Sequence, residues 1–269
     1  MKLVYYLYFI TFLNFTYIKI NDIIKQNLSK NRGKEKNMKE NIVIGIEGMV
    51  ASGKTSTCIE LLNLIPNSIF IDAGEIYRGI VQAIRESKID IEKIKENKNL
   101  LNPMELMEKL KVTFEIENRQ TAIYINGRKI EKEKIENAEN SFGVSLIASN
   151  SNNKELYNFA RNVISTYRKK FNIILSARDL ITIYPEMSVH VYITCDLDER
   201  VKRRYNQYKG KFSIEEIRDM IVKRDNMHEK AGYNKLYEKS IKVDITNCKN
   251  AKESAKRVIK ILDNIELDY

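Results

Sequence analysis

The chain has 269 residues, 43% hydrophobic and 30% charged, with no Trp and three Pro, enough for one core domain carrying inserted subdomains. Its net charge of +10 is unevenly placed: seven Lys/Arg against two Asp/Glu fall in residues 1–37, which leaves +5 for the body from Met38 onward. That mild excess suits a protein handling anionic phosphates and falls short of the dense basic face of a nucleic-acid binder.

In chain order, residues 3–18 form an uncharged apolar and aromatic run. It is a little short of the roughly 20 residues a membrane span needs, and no small-residue cleavage site follows it. Residues 19–40 are rich in Lys and Asn with no apolar period and read as linker. Residues 1–37 are therefore expected to lie outside the fold, either as an extension ahead of a start at Met38 or as a short membrane anchor. The folded domain is expected over 38–267.

Ile42-Val-Ile-Gly-Ile46 is a β-branched run that predicts a buried strand, and an apolar-periodic helix is expected over 57–64. Between them stands Gly48-x-x-x-x-Gly53-Lys54-Thr55, the spacing of a phosphate-binding P-loop in its strand–turn–helix context. Unpaired N–H groups of the turn and helix N-terminus would face the phosphates. The candidate ATP contacts are thus Gly48, Met49, Val50, Ala51, Ser52, Gly53, Lys54, Thr55 and Ser56. Lys54 would reach the β/γ-phosphates and the Thr55 hydroxyl would ligate Mg²⁺. Cys58, on the helix behind, reads as a buried small hydrophobe. With Cys195 and Cys248 it makes three widely spaced cysteines, which fit a reducing compartment and show no metal-ligand spacing.

Pro66 ends that helix, and Ser68-Ile-Phe-Ile is the second strand. Asp72-Ala-Gly74-Glu-Ile-Tyr77-Arg78 follows, running into a helix to about Arg85. A charged helical stretch is expected over 89–109. Val112-Thr-Phe-Glu-Ile and Thr121-Ala-Ile-Tyr-Ile, with Asn126-Gly127 behind, predict a small β insert at about 110–130. Helices are expected near 132–148 and 153–170, and strands at Asn172-Ile-Ile-Leu-Ser and Val189-His-Val-Tyr-Ile-Thr. Asp196 with Glu199 predicts a capping pair, opening a helix that carries Arg200, Lys202, Arg203 and Arg204. Ser213 with Glu216 repeats the signal for a helix to about Arg224. A fifth strand at Ser240 and a closing amphipathic helix over 251–265 complete an α/β alternation that predicts a parallel sheet covered on both faces.

Arginines recur where strands and helices end. Arg78 follows the second strand and Arg178-Asp179 the third; Arg200, Arg203 and Arg204 precede a Gly-containing loop, and Arg224-Asp225 ends the next helix. The planar guanidinium fork matches phosphate oxygens bidentately and stays charged. Phosphoryl transfer is mostly positioning and charge neutralisation, so arginines at the carboxyl ends of strands beside a P-loop are what that reaction asks for.

In these motifs the sequence resembles the bacterial cytidylate kinases, P-loop nucleoside monophosphate kinases, over residues 42–262. The P-loop, Asp72-Ala-Gly74-Glu-Ile-Tyr77-Arg78, Tyr124-Ile-Asn126-Gly127, Ala177-Arg178-Asp179, Asp198-Glu-Arg-x-x-Arg-Arg204 and Arg224-Asp225 occur in the family's order and spacing. The resemblance implies a three-layer P-loop NTPase fold with a five-stranded parallel sheet, the β insert in the nucleoside-monophosphate region and a helical lid at about 200–224. It implies ATP and Mg²⁺ as cofactors and CMP or dCMP as acceptor. Lys54, Arg178, Arg224 and Arg204 would be catalytic, with Arg200 and Arg203 added to the ATP contacts. Asp72, Gly74, Tyr77, Arg78, Ser145, Lys154, Arg178, Asp179 and Arg224 would bind the acceptor. A cytoplasmic monomer is implied, with no nucleic-acid partner and a membrane involved only if residues 1–37 are an anchor.

The sequence also departs from the family pattern. Ala73 stands for a Thr, Ser176 for an acidic residue expected to support Mg²⁺, and Lys154 for an arginine, while Ser145 is kept. The segment after Asp179 lacks the usual Gly and is shorter by one residue. His228 and Ala231 stand where the family has an acid and an arginine that read the nucleoside; Lys230 or Lys235 could supply the missing charge. Two rival readings follow: a kinase of the same fold with another phosphorylated acceptor, and a non-catalytic nucleotide-binding protein tethered to a membrane by residues 1–20.

Overall fold

The computed structural model of the chain describes residues 41–87, 108–137, 139–141, 143–144, 153–233 and 236–263. β1 (Val43–Gly48) is buried along its whole length, as a strand covered on both faces must be. It leads through the P-loop into α1 (Lys54–Leu64), then β2 (Ser68–Asp72) and α2 (Ala73–Glu86). The insert follows as β3 (Val112–Glu117), β4 (Gln120–Ile125) and β5 (Arg128–Lys129), then the single-turn α3 (Lys132–Ile135). α4 (Asn153–Arg168), β6 (Asn172–Ser176), the single-turn α5 (Leu180–Ile183), β7 (Val189–Thr194), α6 (Leu197–Tyr208), α7 (Ile214–Lys230), β8 (Ser240–Asp244) and α8 (Ala251–Leu262) complete the domain.

The sheet order is β3-β4-β2-β6-β1-β7-β8, with β5 on β4. β2, β6, β1, β7 and β8 run parallel, the five-stranded core that strand–helix alternation predicts. Side chains alternate across it. Ile69, Ile71, Ile173 and Leu175 pack under α2 and α4 with Ile76, Ile80 and Ile164. Phe70 and Ile174 point the other way, to a cluster holding Cys58, Leu61, Val243 and Val258, the period-two outcome of a sheet sandwiched between helix layers. The three cysteines are free and buried.

The insert is not a separate sheet. β4 lies parallel to β2 with Phe70 opposite Gln120, and the Phe70 N–H donates to the Arg119 carbonyl at 2.8 Å. Arg119 then staples the junction: its guanidinium donates to the Ser68 carbonyl at 2.8 Å, the Ser68 hydroxyl at 2.6 Å and the Ile65 carbonyl at 3.1 Å. The Asn126-Gly127 turn has positive φ at both residues (52° and 74°), as a tight hairpin turn requires.

Two local expectations change. Asp196 precedes α6 without a side-chain cap; the return half of the capping pair is also missing, since the Asp196 N–H donates to the Thr246 hydroxyl at 3.0 Å and the Glu199 carboxylate pairs with Arg203 at 3.0 Å. The helix expected over 132–148 is interrupted after Ile135, where Glu136 leaves helical geometry (ψ 49°), and helical residues resume at 139–141 and 143–144. The Ser213–Glu216 capping box forms in both directions, at 3.2 and 2.7 Å. Residues 1–37 and most of the stretch 89–109 lie outside the described residues. Among the described residues no helix is long and apolar enough to cross a membrane.

Candidate active site

The P-loop is built where side chains have no room. A Cβ on Gly48 would stand 2.6 Å from the Ile193 carbonyl oxygen, and Gly53 has φ +92°. Ala51 is also left-handed, at φ 58°, a conformation that costs a non-glycine residue about 1–2 kcal/mol. The Ser52 N–H closes the turn on the Met49 carbonyl at 3.3 Å. α1 then opens on Lys54 with no side chain capping it, which leaves its first N–H groups for an anion. The buried Ser52 hydroxyl has no hydrogen-bond partner among the described residues.

The helix pair α6–α7 holds this loop from behind. The Asp225 carboxylate accepts the Val50 N–H at 3.2 Å. Arg200 donates to the Val50 carbonyl at 3.1 Å and to Asp225 at 2.5 Å, all buried. Val50 packs with Val201, Ile217 and Ile221. Arg203 donates to the Ser52 carbonyl at 3.1 Å and to the Ile245 carbonyl at 2.9 Å. Arg200 and Arg203, expected as ATP contacts, thus commit these donors to P-loop carbonyls. Arg204 pairs with Gln207 at 2.8 Å and lies over the Tyr208 ring, 5.0 Å from its centroid.

At the end of β2, Asp72 caps α2, accepting the Glu75 N–H at 3.2 Å. A Cβ on Gly74 would sit 3.0 Å from Arg78 Nη1, so glycine leaves space for that guanidinium. Arg78 Nη2 is 3.9 Å from Glu136, and its buried Nε has no partner among the described residues. The buried Tyr77 hydroxyl likewise lacks one, and its ring lies 6.5 Å from that of Tyr157. Asp179 accepts from the Thr182 hydroxyl at 2.8 Å and from Tyr157 at 3.4 Å.

The cations share one field. Burial, then Arg178, pushes the Lys54 ammonium down, against a pull upward from Asp72. Burial, then Arg224, brings Arg178 down to about 10, with Asp72 opposing; it remains cationic at neutral pH. Arg224 is lowered by burial, then by Arg204 and Arg78. Burial, then Arg178, Arg224 and Lys54, pushes His228 down to about 3. Lys54 and Arg178 thus share the field of Asp72, while Arg78, Arg204 and Arg224 join them through Arg178 and Arg224, and such clustered, perturbed cations are candidates for an anion site.

The family model for cytidylate kinase matches residues 44–265. The chain belongs to the cytidylate kinase family. A cytidylate kinase of Bacillus cereus (strain ATCC 10987 / NRS 248) is 26% identical over 234 residues, covering 85% of this chain and 99% of that protein. One from Bacillus thuringiensis (strain Al Hakam) is 28% identical over 194 residues, 71% of this chain and 81% of that protein. Among solved structures, shikimate kinase from Acinetobacter baumannii in complex with shikimate aligns over 84% of this chain and 96% of that one. Its identity of 14% and TM-score of 0.38 are too low to carry any inference. Membership makes the chain a P-loop phosphotransferase of the nucleotide-binding kinase class.

The positions that depart from the family pattern take up the following places. Ser176 Oγ is buried without a partner among the described residues, in register with Ile46 on one side and Asp72 on the other. His228 Nδ1 lies 3.0 Å from Arg178 Nη1. Ala231 closes α7, and the segment after Asp179 forms α5. Ser145 and Lys235 lie outside the described residues; Lys154 lies on α4, its side chain outside them.

Sequence reasoning passed over Glu47, which is 2% exposed in the last turn-ward residues of β1. It accepts the Leu180 N–H and stands 3.5 Å from His190 Nε2, while His190 Nδ1 meets the Ser240 hydroxyl at 2.7 Å. Leu180 directly follows Arg178-Asp179, so a β1 carboxylate holds the arginine's turn. The signal was available: an acid inside an otherwise apolar strand needs a buried partner. Among the described residues no group of three His, Cys, Asp or Glu could hold a metal.

Proposed function

We propose that the chain transfers the γ-phosphoryl group of ATP to CMP or dCMP, giving CDP or dCDP and ADP. The observation that carries the reading is a P-loop whose helix N-terminus carries no side-chain cap, with Lys54 and Arg178 in the field of Asp72 and Arg78 and Arg224 acting on Arg178. Its donor half takes ATP on residues 48–56, with Lys54 at the β/γ-phosphates. Its acceptor half takes the monophosphate on Arg78, Arg178 and Arg224, with Asp72, Gly74, Tyr77 and Asp179 shaping the pocket.

An oxygen of the acceptor phosphate attacks Pγ in line as the bond from Pγ to the bridging oxygen of ADP breaks. The acceptor oxygen is already anionic, so no general base is needed, and His228 is not one. Lys54 and the arginines offset charge that spreads over the equatorial oxygens in the transition state. Mg²⁺ would enter with ATP, held through Thr55, and would supply further neutralisation of phosphate charge; the Ser176 hydroxyl, unpartnered among the described residues and in register with Asp72, suits a hydrated ion there. Residues 200–224 serve as lid, excluding water that would otherwise accept the phosphoryl group. We place the activity in a cytoplasmic monomer with its fold over 38–267, acting without nucleic acid.

A coupled assay of ADP release by the full chain with CMP, dCMP, UMP and AMP tests this. Turnover highest with CMP or dCMP is expected; no cytidine nucleotide above background overturns it. A second reading, another phosphorylated acceptor on the same clamp, is favoured by His228 and Ala231 where the family has a charged pair. A different acceptor winning the panel by tenfold would select it.

A further inference from the structure

His228 stands where the resemblance leads one to expect a nucleoside-reading acid, yet it faces Arg178. Nη1 of Arg178 lies 3.0 Å from His228 Nδ1. A guanidinium can only donate, so Nδ1 carries the lone pair and the ring proton sits on Nε2. The imidazole is fixed on its other side by Tyr233, edge-on at 6.2 Å between ring centroids. Tyr233 lies within electrostatic reach of Tyr157, and Tyr157 donates to Asp179 at 3.4 Å. The chain of contacts therefore leaves Arg178 through α7, passes the loop after it and α4, and returns to the residue next to Arg178.

Charge decides what such a partner does. A carboxylate at this position would bind Arg178 as a fork and cancel much of its charge before any phosphate arrived. A neutral imidazole orients the same guanidinium through one N–H and leaves its full charge, with its remaining donors, to an anion. The charged groups acting on His228 are Arg178 from the turn after β6, Arg224 from its own helix and Lys54 from α1, all cations; the ring that faces it is the Tyr233 phenol.

We propose that His228 is a positioning residue for the phosphate-gripping Arg178, and takes no part in choosing the nucleoside. The proposal rests on the reading of Arg178 as acceptor clamp. Loss of a hydrogen bond to a charged group predicts a penalty of about tenfold or more, and the penalty falls on every acceptor alike, because every acceptor presents the same phosphate.

The test has two arms. In the first, the full chain and its His228→Leu and His228→Asn variants are assayed with CMP, dCMP, UMP and AMP. His228→Leu is expected to lower kcat/KM about tenfold for each acceptor that turns over, with their ratios unchanged within twofold. His228→Asn, whose amide oxygen can take the Arg178 N–H, restores most of the loss. Ratios moving fivefold or more would make His228 a nucleoside reader and overturn the proposal. The second arm needs no turnover. The chain has two histidines, so ¹⁵N-labelled imidazoles give two sets of signals, assigned by His228→Asn. Expected is an unprotonated, hydrogen-bonded Nδ1 for His228, neutral from pH 8 down to pH 5 and perturbed by Arg178→Met. A proton on Nδ1, or titration near pH 6.5, overturns the assignment. If wild type phosphorylates nothing in the panel, the substrate reading fails, and the spectra alone decide the role of His228.

Discussion

Arg200 and Asp225 grip the backbone of a single residue, Val50, between them. The carboxylate takes the Val50 N–H at 3.2 Å, the guanidinium gives to the Val50 carbonyl at 3.1 Å, and the two side chains meet at 2.5 Å. One partner comes from α6 and the other from α7, so both helices that follow β7 are joined to the phosphate loop through its backbone. Breaking a buried pair by removing one member leaves an uncompensated charge, at a cost of about 3–5 kcal/mol. Asp225→Ala is therefore expected to lower the melting temperature by several degrees and to weaken ATP binding. Thermal unfolding with and without ATP checks both; an unchanged melting temperature would show that the pair holds nothing.

Lys54→Met keeps the stem of the side chain and removes its charge. Transition-state donors of this kind contribute about 10²–10³ in rate, so kcat should fall by that factor. Its burial already disfavours the ammonium, so the variant should melt no lower than wild type. Steady-state kinetics beside a melting curve separates the two effects.

The Tyr77 hydroxyl is buried without a partner among the described residues. Leaving such a group unsatisfied costs about 1–3 kcal/mol, so Tyr77→Phe should leave stability equal or higher. If the acceptor phosphate is the missing partner, the same variant raises the acceptor KM and leaves the KM for ATP alone. A lower melting temperature with unchanged kinetics would refute this.

His228 gives a pH dependence with a definite sign. Its folded pKa of about 3 lies below the ordinary 6.5, so the native state binds its proton later than the unfolded chain does. The neutral form adds stability above pH 6.5, and that stability drains away as pH falls toward 3. Denaturant unfolding between pH 7 and 4 should show a slope that His228→Asn reduces.

Arg119→Ala removes three donors that join the β4 edge to β2. A loss of about 1–3 kcal/mol is expected, seen as a lower denaturant midpoint, with kcat changed less than twofold.

The P-loop was legible because its chemistry is local. Gly48 and Gly53 are required by backbone approach and by φ, and the cradle spans a few consecutive residues. The five core strands were legible from β-branched runs, and Arg78 and Arg178 from their place just beyond strand ends. What sequence reading missed depends on partners far along the chain. Val50 meets Asp225 across 175 positions and Glu47 meets Leu180 across 133, and no periodicity links such pairs. Arg119 carries no local signal in the sequence, since its carbonyl meets Phe70 and its guanidinium meets Ser68 and Ile65 only in the folded chain. The return half of the Asp196–Glu199 capping pair is absent for a similar reason: the Asp196 N–H meets Thr246, fifty positions on, and Glu199 meets Arg203.

The cationic cluster around Arg178 also bears on how this chain can be changed. With no phosphate bound, Lys54, Arg78, Arg178 and Arg224 repel one another, so neutralising one of them relieves the empty protein. Selection for heat resistance alone would then favour losing the very charges proposed to grip phosphate. Stabilising the enzyme while keeping it active means working elsewhere, on the Arg119 junction or the α8 face, and screening each variant for turnover as well as for survival.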